Sequence, residues 1–154
     1  MNRSGQIGTA TETAVVRVLR SHGWPSAERR RLEGSLDRGD VTGTPGIVWE
    51  VKGGESARRA SDLQVVVWLR ETERERENAD ADHGVLVVAR RGIGASNASR
   101  WWAIVTVETL AELLTGIEGY GVIPAVAMKP VRLQLEDVCS LLHAAGYGDE
   151  RVVA

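Results

Sequence analysis

The apolar run Ile47-Val48-Trp49 passes directly into Glu50-Val51-Lys52, with Thr44-Pro45-Gly46 before it and Gly53-Gly54 after it. β-Branched and aromatic residues bounded by turn formers predict a strand. Alternate residues of a strand share a face, so Glu50 and Lys52 project side by side. An acid and an ammonium at the end of an otherwise apolar strand need solvent or a partner. Asp40 lies ten residues before Glu50, and a further acid, Glu12, lies on what reads as the first helix.

Those residue types suit one chemistry. A hard cation such as Mg²⁺ takes oxygen ligands, commonly one or two carboxylates together with water and substrate phosphate. Asp40 and Glu50 supply carboxylates, with Mn²⁺ expected to substitute for Mg²⁺. An ammonium beside such a centre can orient the attacking water, help deprotonate it, or offset charge developing on phosphorus oxygens. The competing reading is a solvated surface strand that happens to end in Glu-Val-Lys. Against it stand the flanking glycine turns, the acid on the preceding helix and the long helical segment that follows.

The rest of the chain alternates helical and strand patterns. Thr9 to His22 predicts a helix with Thr9 as N-cap and Glu12 closing a capping box. Glu28 to Leu32 predicts a first strand, and a glycine-rich hairpin loop at residues 34–39 connects it to the Glu-Val-Lys strand. Residues 60–78 predict a helix capped by Ser61, although Val65-Val66-Val67 favours a strand, because the charges from Arg70 to Glu77 alternate at spacings that pair across one turn. Gly84 to Ala89 and Trp101 to Val107 predict strands, Glu108 to Thr115 a short helix, and Gln134 to Ala145 a terminal helix after a turn at Lys129-Pro130. This order predicts an α/β fold, a mixed central sheet flanked by helices with a C-terminal helical extension.

The set of motifs resembles the PD-(D/E)xK nucleases, and within them the archaeal-type Holliday junction resolvases and related phage enzymes. Arg3-Ser4-Gly5, Glu12 and the close at His22-Gly23 resemble the amino terminus of that group. Arg29-Arg30-Arg31, Gly34-Ser35 and Gly39-Asp40-Val41 resemble its basic strand, loop and Asp-bearing turn, and Glu50-Val51-Lys52 resembles its Glu-x-Lys strand. The likeness spans roughly residues 3 to 90. It departs at Gly39, which is not the proline of the family motif, a proline that many members also lack, and at Trp68, which stands in the tyrosine place of the Gln-x-x-x-Tyr element of exonuclease relatives, with Gln64 as its glutamine. After about Tyr120 no counterpart is found. The resemblance implies a restriction-endonuclease-like core over residues 1–118 and an extension over 119–154 packed on the same domain. It implies metal ligands Glu12, Asp40 and Glu50, catalytic assistance from Lys52, and DNA contacts from Arg3, Arg29, Arg30, Arg31, Ser35, Arg38 and Arg58. The implied substrate is branched DNA, above all a four-way junction. Because resolution needs two symmetric nicks, a homodimer is expected, joined through the Trp101 strand or the last helix. Two alternatives remain at this stage: a related nuclease acting on linear or single-stranded ends, favoured if Gln64 lies beside Lys52, and a non-catalytic DNA-binding subunit of the same fold.

Composition fits these expectations. The 154 residues, 43% of them hydrophobic, suffice for one packed core. The net charge of −2 argues against a nucleic-acid partner until its distribution is considered. Residues 1–60 carry ten Lys/Arg against seven Asp/Glu, and three of those acids are candidate metal ligands, so the amino-terminal half is the expected DNA face. The single cysteine, Cys139, sits among apolar neighbours and excludes an internal disulfide. A reducing cytoplasm, of a bacterial cell or a phage-infected host, is therefore expected. No membrane span is expected. The scattered His22, His83 and His143 have no metal-ligand spacing. Arg90-Arg91-Gly92-Ile93-Gly94 lacks the strand-to-helix phosphate fingerprint and reads as a basic loop.

Overall fold

The computed structural model describes residues 3–31, 34 and 36–149, without the side chains of Arg3 and Ser4. The expected DNA contacts of Ser35 and of the Arg3 side chain thus lie outside the described residues.

The chain folds as a mixed α/β protein. The first helix, α1 (Arg3–Ser21), begins six residues before the predicted Thr9. Thr9 is therefore an interior helical residue and not an N-cap; its hydroxyl accepts from Arg29 Nη2 at 3.3 Å. Gly5 and Gly8 weaken the helical signal of this first stretch. Tertiary contact overrides it, because α1 packs against α2 (Gly54–Arg58), a helix the sequence did not announce.

Strand β1 (Glu28–Arg29) is shorter than expected and pairs antiparallel with β2 (Val41–Thr42). The predicted hairpin loop therefore closes on Val41-Thr42 and not directly on the Glu-Val-Lys strand. That strand, β3 (Ile47–Lys52), opens a four-stranded sheet of order β3-β4-β5-β6, with β4 (His83–Val88), β5 (Trp102–Thr106) and β6 (Pro130–Gln134). The pair β3/β4 is parallel and the other two pairs are antiparallel. Parallel neighbours require a long crossover, and here it consists of α2 and α3 (Asp62–Asn78). Ser61 caps α3 as predicted, its hydroxyl accepting from the Gln64 N–H at 3.1 Å.

Strand β6 corrects the sequence reading, which placed only a turn before the terminal helix. Proline at the first position of an edge strand costs no ladder hydrogen bond, and Val131 and Leu133 pack against the core. Residues 119–154 thus supply a strand of the central sheet as well as α6 (Leu135–Ala144). The helix α4 (Val107–Thr115) follows β5 as expected, and a single turn, α5 (Pro124–Ala127), precedes β6.

The sheet is covered on both faces. Trp49 is fully buried and meets Trp24, just past α1, edge to face at 5.9 Å between ring centroids. On the opposite face α3 buries Val65, Leu69, Thr72 and Glu75. Helix α6 turns Leu135, Val138, Cys139 and Leu142 into the core, which makes Cys139 the buried thiol expected. Among the described residues no helix is long and apolar enough to cross a membrane.

Candidate metal centre and arginine-lined cleft

The alternation of β3 sends Glu50 and Lys52 to the α3 face, as the sequence requires. Lys52 Nζ lies 2.9 Å from Glu50 Oε1 and 4.0 Å from Glu71 Oε2, and 5.7 Å from the centroid of the Trp68 ring. Glu71 and Trp68 of α3 thus both lie beside Lys52. Burial alone would lower the pKa of Lys52; the hydrogen bond to Glu50 and the charges of Glu50, Glu71 and Asp40 more than reverse this and raise it. Lys52 is accordingly an ammonium at neutral pH, a cation and hydrogen-bond donor and not a base.

Asp40 reaches the site along the open edge of β3. Its N–H donates to the Trp49 carbonyl at 2.8 Å, and its Oδ2 accepts from the Val51 N–H at 2.8 Å. Edge-strand groups that would otherwise be unpaired hold the carboxylate in place. Such closeness dictates the preceding residue. Gly39 has φ +91°, and a Cβ there would lie 2.8 Å from Val48 Cγ1 and 3.0 Å from the Trp49 carbonyl oxygen. Gly39→Ala is expected to destabilise the fold by about 1–3 kcal/mol and to displace Asp40; a melting temperature within 1 °C of wild type, roughly the scatter expected of a neutral surface change, would show that this turn tolerates a side chain.

Two carboxylates that the sequence reading left out complete the centre. Asp37 and Glu75 join Glu50 in a group whose ligand atoms all lie within 4.8 Å of one another. Asp37 is held by its own loop, with Oδ1 accepting from the Gly39 N–H at 3.0 Å and its carbonyl accepting from Asn78 Nδ2 at the end of α3. Glu50 and Glu75 are only 7% and 6% exposed, and Glu50 Oε2 and Glu75 Oε2 are buried without a hydrogen-bond partner. Crowding of like charge raises the affinity for protons. Asp40 is pushed up to about 7 by burial first and then by Glu50, with Glu12 adding to the effect against the opposing Val51 N–H and Lys52. Glu75 is pushed up to about 10 by burial, then by its hydrogen bond with Glu50 and by the charges of Glu50, Asp37 and Asp40.

Buried, orphaned carboxylate oxygens are costly unless something positive satisfies them. An all-oxygen donor set matches a hard divalent cation, so the residues present fit Mg²⁺ or Mn²⁺. The sequence did contain a signal for Glu75. It continues the stripe of Val65, Leu69 and Thr72 at helical spacing, which puts an acid on the core side of α3; reading Arg70 to Glu77 as a solvated, self-pairing run concealed it.

Beside the acids opens a cleft of about 1010 Å³, lined by Glu12, Asp37 and Asp40 and by Arg17, Arg20, Arg29, Arg30, Arg31 and Arg38. Arg29, Arg30, Arg31 and Arg38 are thereby gathered on one surface. Arg17 and Arg20, on the outer face of α1, were not anticipated there. Glu12 also lines the cleft, but it pairs with Arg29 Nε at 2.8 Å and stays outside the tight Asp37-Glu50-Glu75 group. Arg58 lies elsewhere, on α2, ion-paired with Glu55 at 3.4 Å.

The fold and site together define a mixed α/β protein with a carboxylate cluster and a half-buried ammonium at the end of a parallel strand, opening onto a basic cleft. No known family, curated protein or solved structure matches the chain.

Proposed function

We propose that the chain is a metal-dependent DNA endonuclease with a restriction-endonuclease-like core. Its proposed substrate is branched DNA, a four-way junction in the form the motif resemblance implies, cut by a homodimer. The observation that carries this reading is the meeting of three things: orphaned carboxylate oxygens, the Glu50-paired Lys52, and an arginine-lined cleft beside them. Separately each has a structural explanation; a phosphodiester drawn into the cleft uses all three.

Asp37, Glu50 and Glu75 would hold the cation, with Asp40 adjoining them. When bound, the cation would polarise the scissile phosphate and lower the pKa of a bound water. The remaining work belongs to the side chains. The cleft arginines bind and orient the phosphate backbone through charge-assisted hydrogen bonds. Lys52, fixed by Glu50 and shielded by Trp68, holds a permanent positive charge where negative charge grows on the phosphoryl oxygens. Glu12, by engaging Arg29, sets the position of one backbone-binding arginine. The alternative of a nuclease acting on linear or single-stranded ends is tied to Gln64 beside Lys52; Trp68, one helical turn from Gln64, lies over that lysine, so the substrate comparison below decides between the two.

The test uses a labelled synthetic four-way junction and a matched linear duplex, with Mg²⁺ and with chelator, for wild type and Glu50→Ala. Paired symmetric nicks on the junction, lost with chelator and in the variant, are expected. Cutting of linear or single strands instead would move the protein to end processing, and no cleavage with any divalent metal would leave a non-catalytic DNA-binding subunit. Lys52→Met, which keeps the aliphatic stem against Trp68, is expected to lower the cleavage rate at least ~100-fold with little change in DNA affinity. An equal loss of affinity and rate would make Lys52 a binding residue only.

A further inference from the structure

A second basic surface lies on the α3 face of the sheet, beyond Lys52 and apart from the cleft. Strand register puts Lys52, Val88, Trp102 and Gln134 in one row across the sheet, and Glu50, Leu86, Ile104 and Arg132 in the next. Paired residues of neighbouring strands share a face, and strands are spaced by ~4.8 Å, so the Trp102 position is about 10 Å from that of Lys52 on the same side. There the Arg90 guanidinium lies 4.0 Å from the Trp102 ring centroid, and that of Arg132 lies 5.2 Å from it. Arg58 and Arg91 line the same hollow, of about 250 Å³, with no acidic residue in its wall; Asp62 lies with Arg132 in the shallow hollow next to it.

Among the described residues, the charge gathered here is matched by acids only at Arg58, which pairs with Glu55 at 3.4 Å. Among those residues Arg90, Arg91 and Arg132 have no carboxylate within 4.0 Å, in contrast to Arg29, Arg59 and Arg76. Two guanidiniums gathered on one indole repel each other, and cation–π attraction offsets this only in part. A polyanion supplies the missing charge, and a planar guanidinium held against an aromatic ring is prearranged to bind phosphate.

We infer that the Arg90-Trp102-Arg132 hollow is a second DNA-backbone site, holding duplex on the side of the scissile phosphate opposite the cleft. This rests on the nuclease reading for the position of the cut, and on the hollow alone for the binding. A separation of about 10 Å corresponds to roughly three steps of duplex rise. DNA engaged at both surfaces would thus cross the carboxylate cluster between two anchoring points, which fixes the register of the cut.

The experiment measures anisotropy of a labelled four-way junction and a linear duplex in chelator over a salt series. It compares wild type, the double variant R90Q/R132Q, and R74Q/K129Q, a control with the same change in net charge that lines neither surface. R90Q/R132Q is expected to bind about ten-fold more weakly, with the slope of log affinity against log salt reduced by about 1.8, as two lost phosphate contacts require, while the control matches wild type. Unchanged affinity and slope in R90Q/R132Q, or an equal loss in the control, would overturn the inference and leave the nuclease reading intact. Loss confined to R90Q/R132Q in a protein that cleaves nothing would sustain the inference and overturn the nuclease reading. A wild type that binds neither DNA would overturn both. If R90Q/R132Q fails to fold by circular dichroism, R91Q decides in its place, since Arg91 lines the hollow and is exposed; its expected slope change is about 0.9.

Discussion

Exchanging Glu75 for glutamine removes Mg²⁺-dependent cleavage, by at least ~100-fold, while the metal-free protein melts higher than wild type. The two effects have one cause. Glu75 is 6% exposed, hydrogen-bonds Glu50, and carries a second oxygen, Oε2, without a partner. Without a cation it keeps a proton that an exposed glutamate would release, its pKa being pushed up to about 10 chiefly by burial and by Glu50. Glutamine has the same shape, carries no charge and donates a hydrogen bond toward Glu50. It therefore removes the cost of holding a proton that the unfolded chain releases at neutral pH, a gain on the order of 1 kcal/mol or a few degrees in Tm. It also deletes a ligand atom, and the cation is lost. A variant with wild-type cleavage would remove Glu75 from the centre. A variant both inactive and less stable would mean that Glu75 is a structural acid whose carboxyl the fold requires.

The second large effect is the dependence of metal stabilisation on pH. Asp40 rises from 3.8 to about 7, and Glu75 from 4.5 to about 10, on folding. Both folded carboxyls thus hold protons that the unfolded chain has already released. The native state binds more protons across that window, so the stability of the metal-free protein falls as pH rises from about 4 through 7 and beyond. A bound cation needs deprotonated ligands and neutralises their mutual repulsion, so its affinity rises over the same range. At fixed Mg²⁺ the increase in Tm is accordingly larger at pH 8 than at pH 6, and Glu50→Ala abolishes it. Thermal melts with Mg²⁺ and with chelator over that range measure this directly. A Tm increase that is the same at both pH values would mean that protons and metal do not compete for these carboxylates.

Much of the fold could be read from local pattern. The strand at Ile47–Lys52, the helix capped by Ser61 and the buried strand at His83–Val88 occur where their periodicity and boundary residues put them. What escaped the sequence reading had weak local signals and strong tertiary ones. The start of α1 is diluted by Gly5 and Gly8 and sustained by α2. Strand β6 begins with proline and carries Arg132 outward, so its alternation is faint until β5 is there to pair with it. The segment that closes on Asp40 pairs with Val41-Thr42 through one short ladder that no run of residues announces.

The candidate site divides along the same line. Glu50 and Lys52 share a face because a strand has a period of two, and that follows from six consecutive residues. Asp40 belongs beside them because Gly39 permits an approach to β3 that a side chain would block. Asp37 and Glu75 come from a loop and from the fourth turn of a helix, and only the packing of α3 across the sheet brings their oxygens within reach of Glu50. Likewise the arginines of two segments line one cleft, and those of three others meet around Trp102. The sequence by itself determined which residues could carry charge and which local faces they would occupy, since backbone periodicity is a short-range property. Which charges end up buried together, without partners of opposite sign, was decided only by tertiary structure, because electrostatic energy depends on distance and burial and not on separation along the chain.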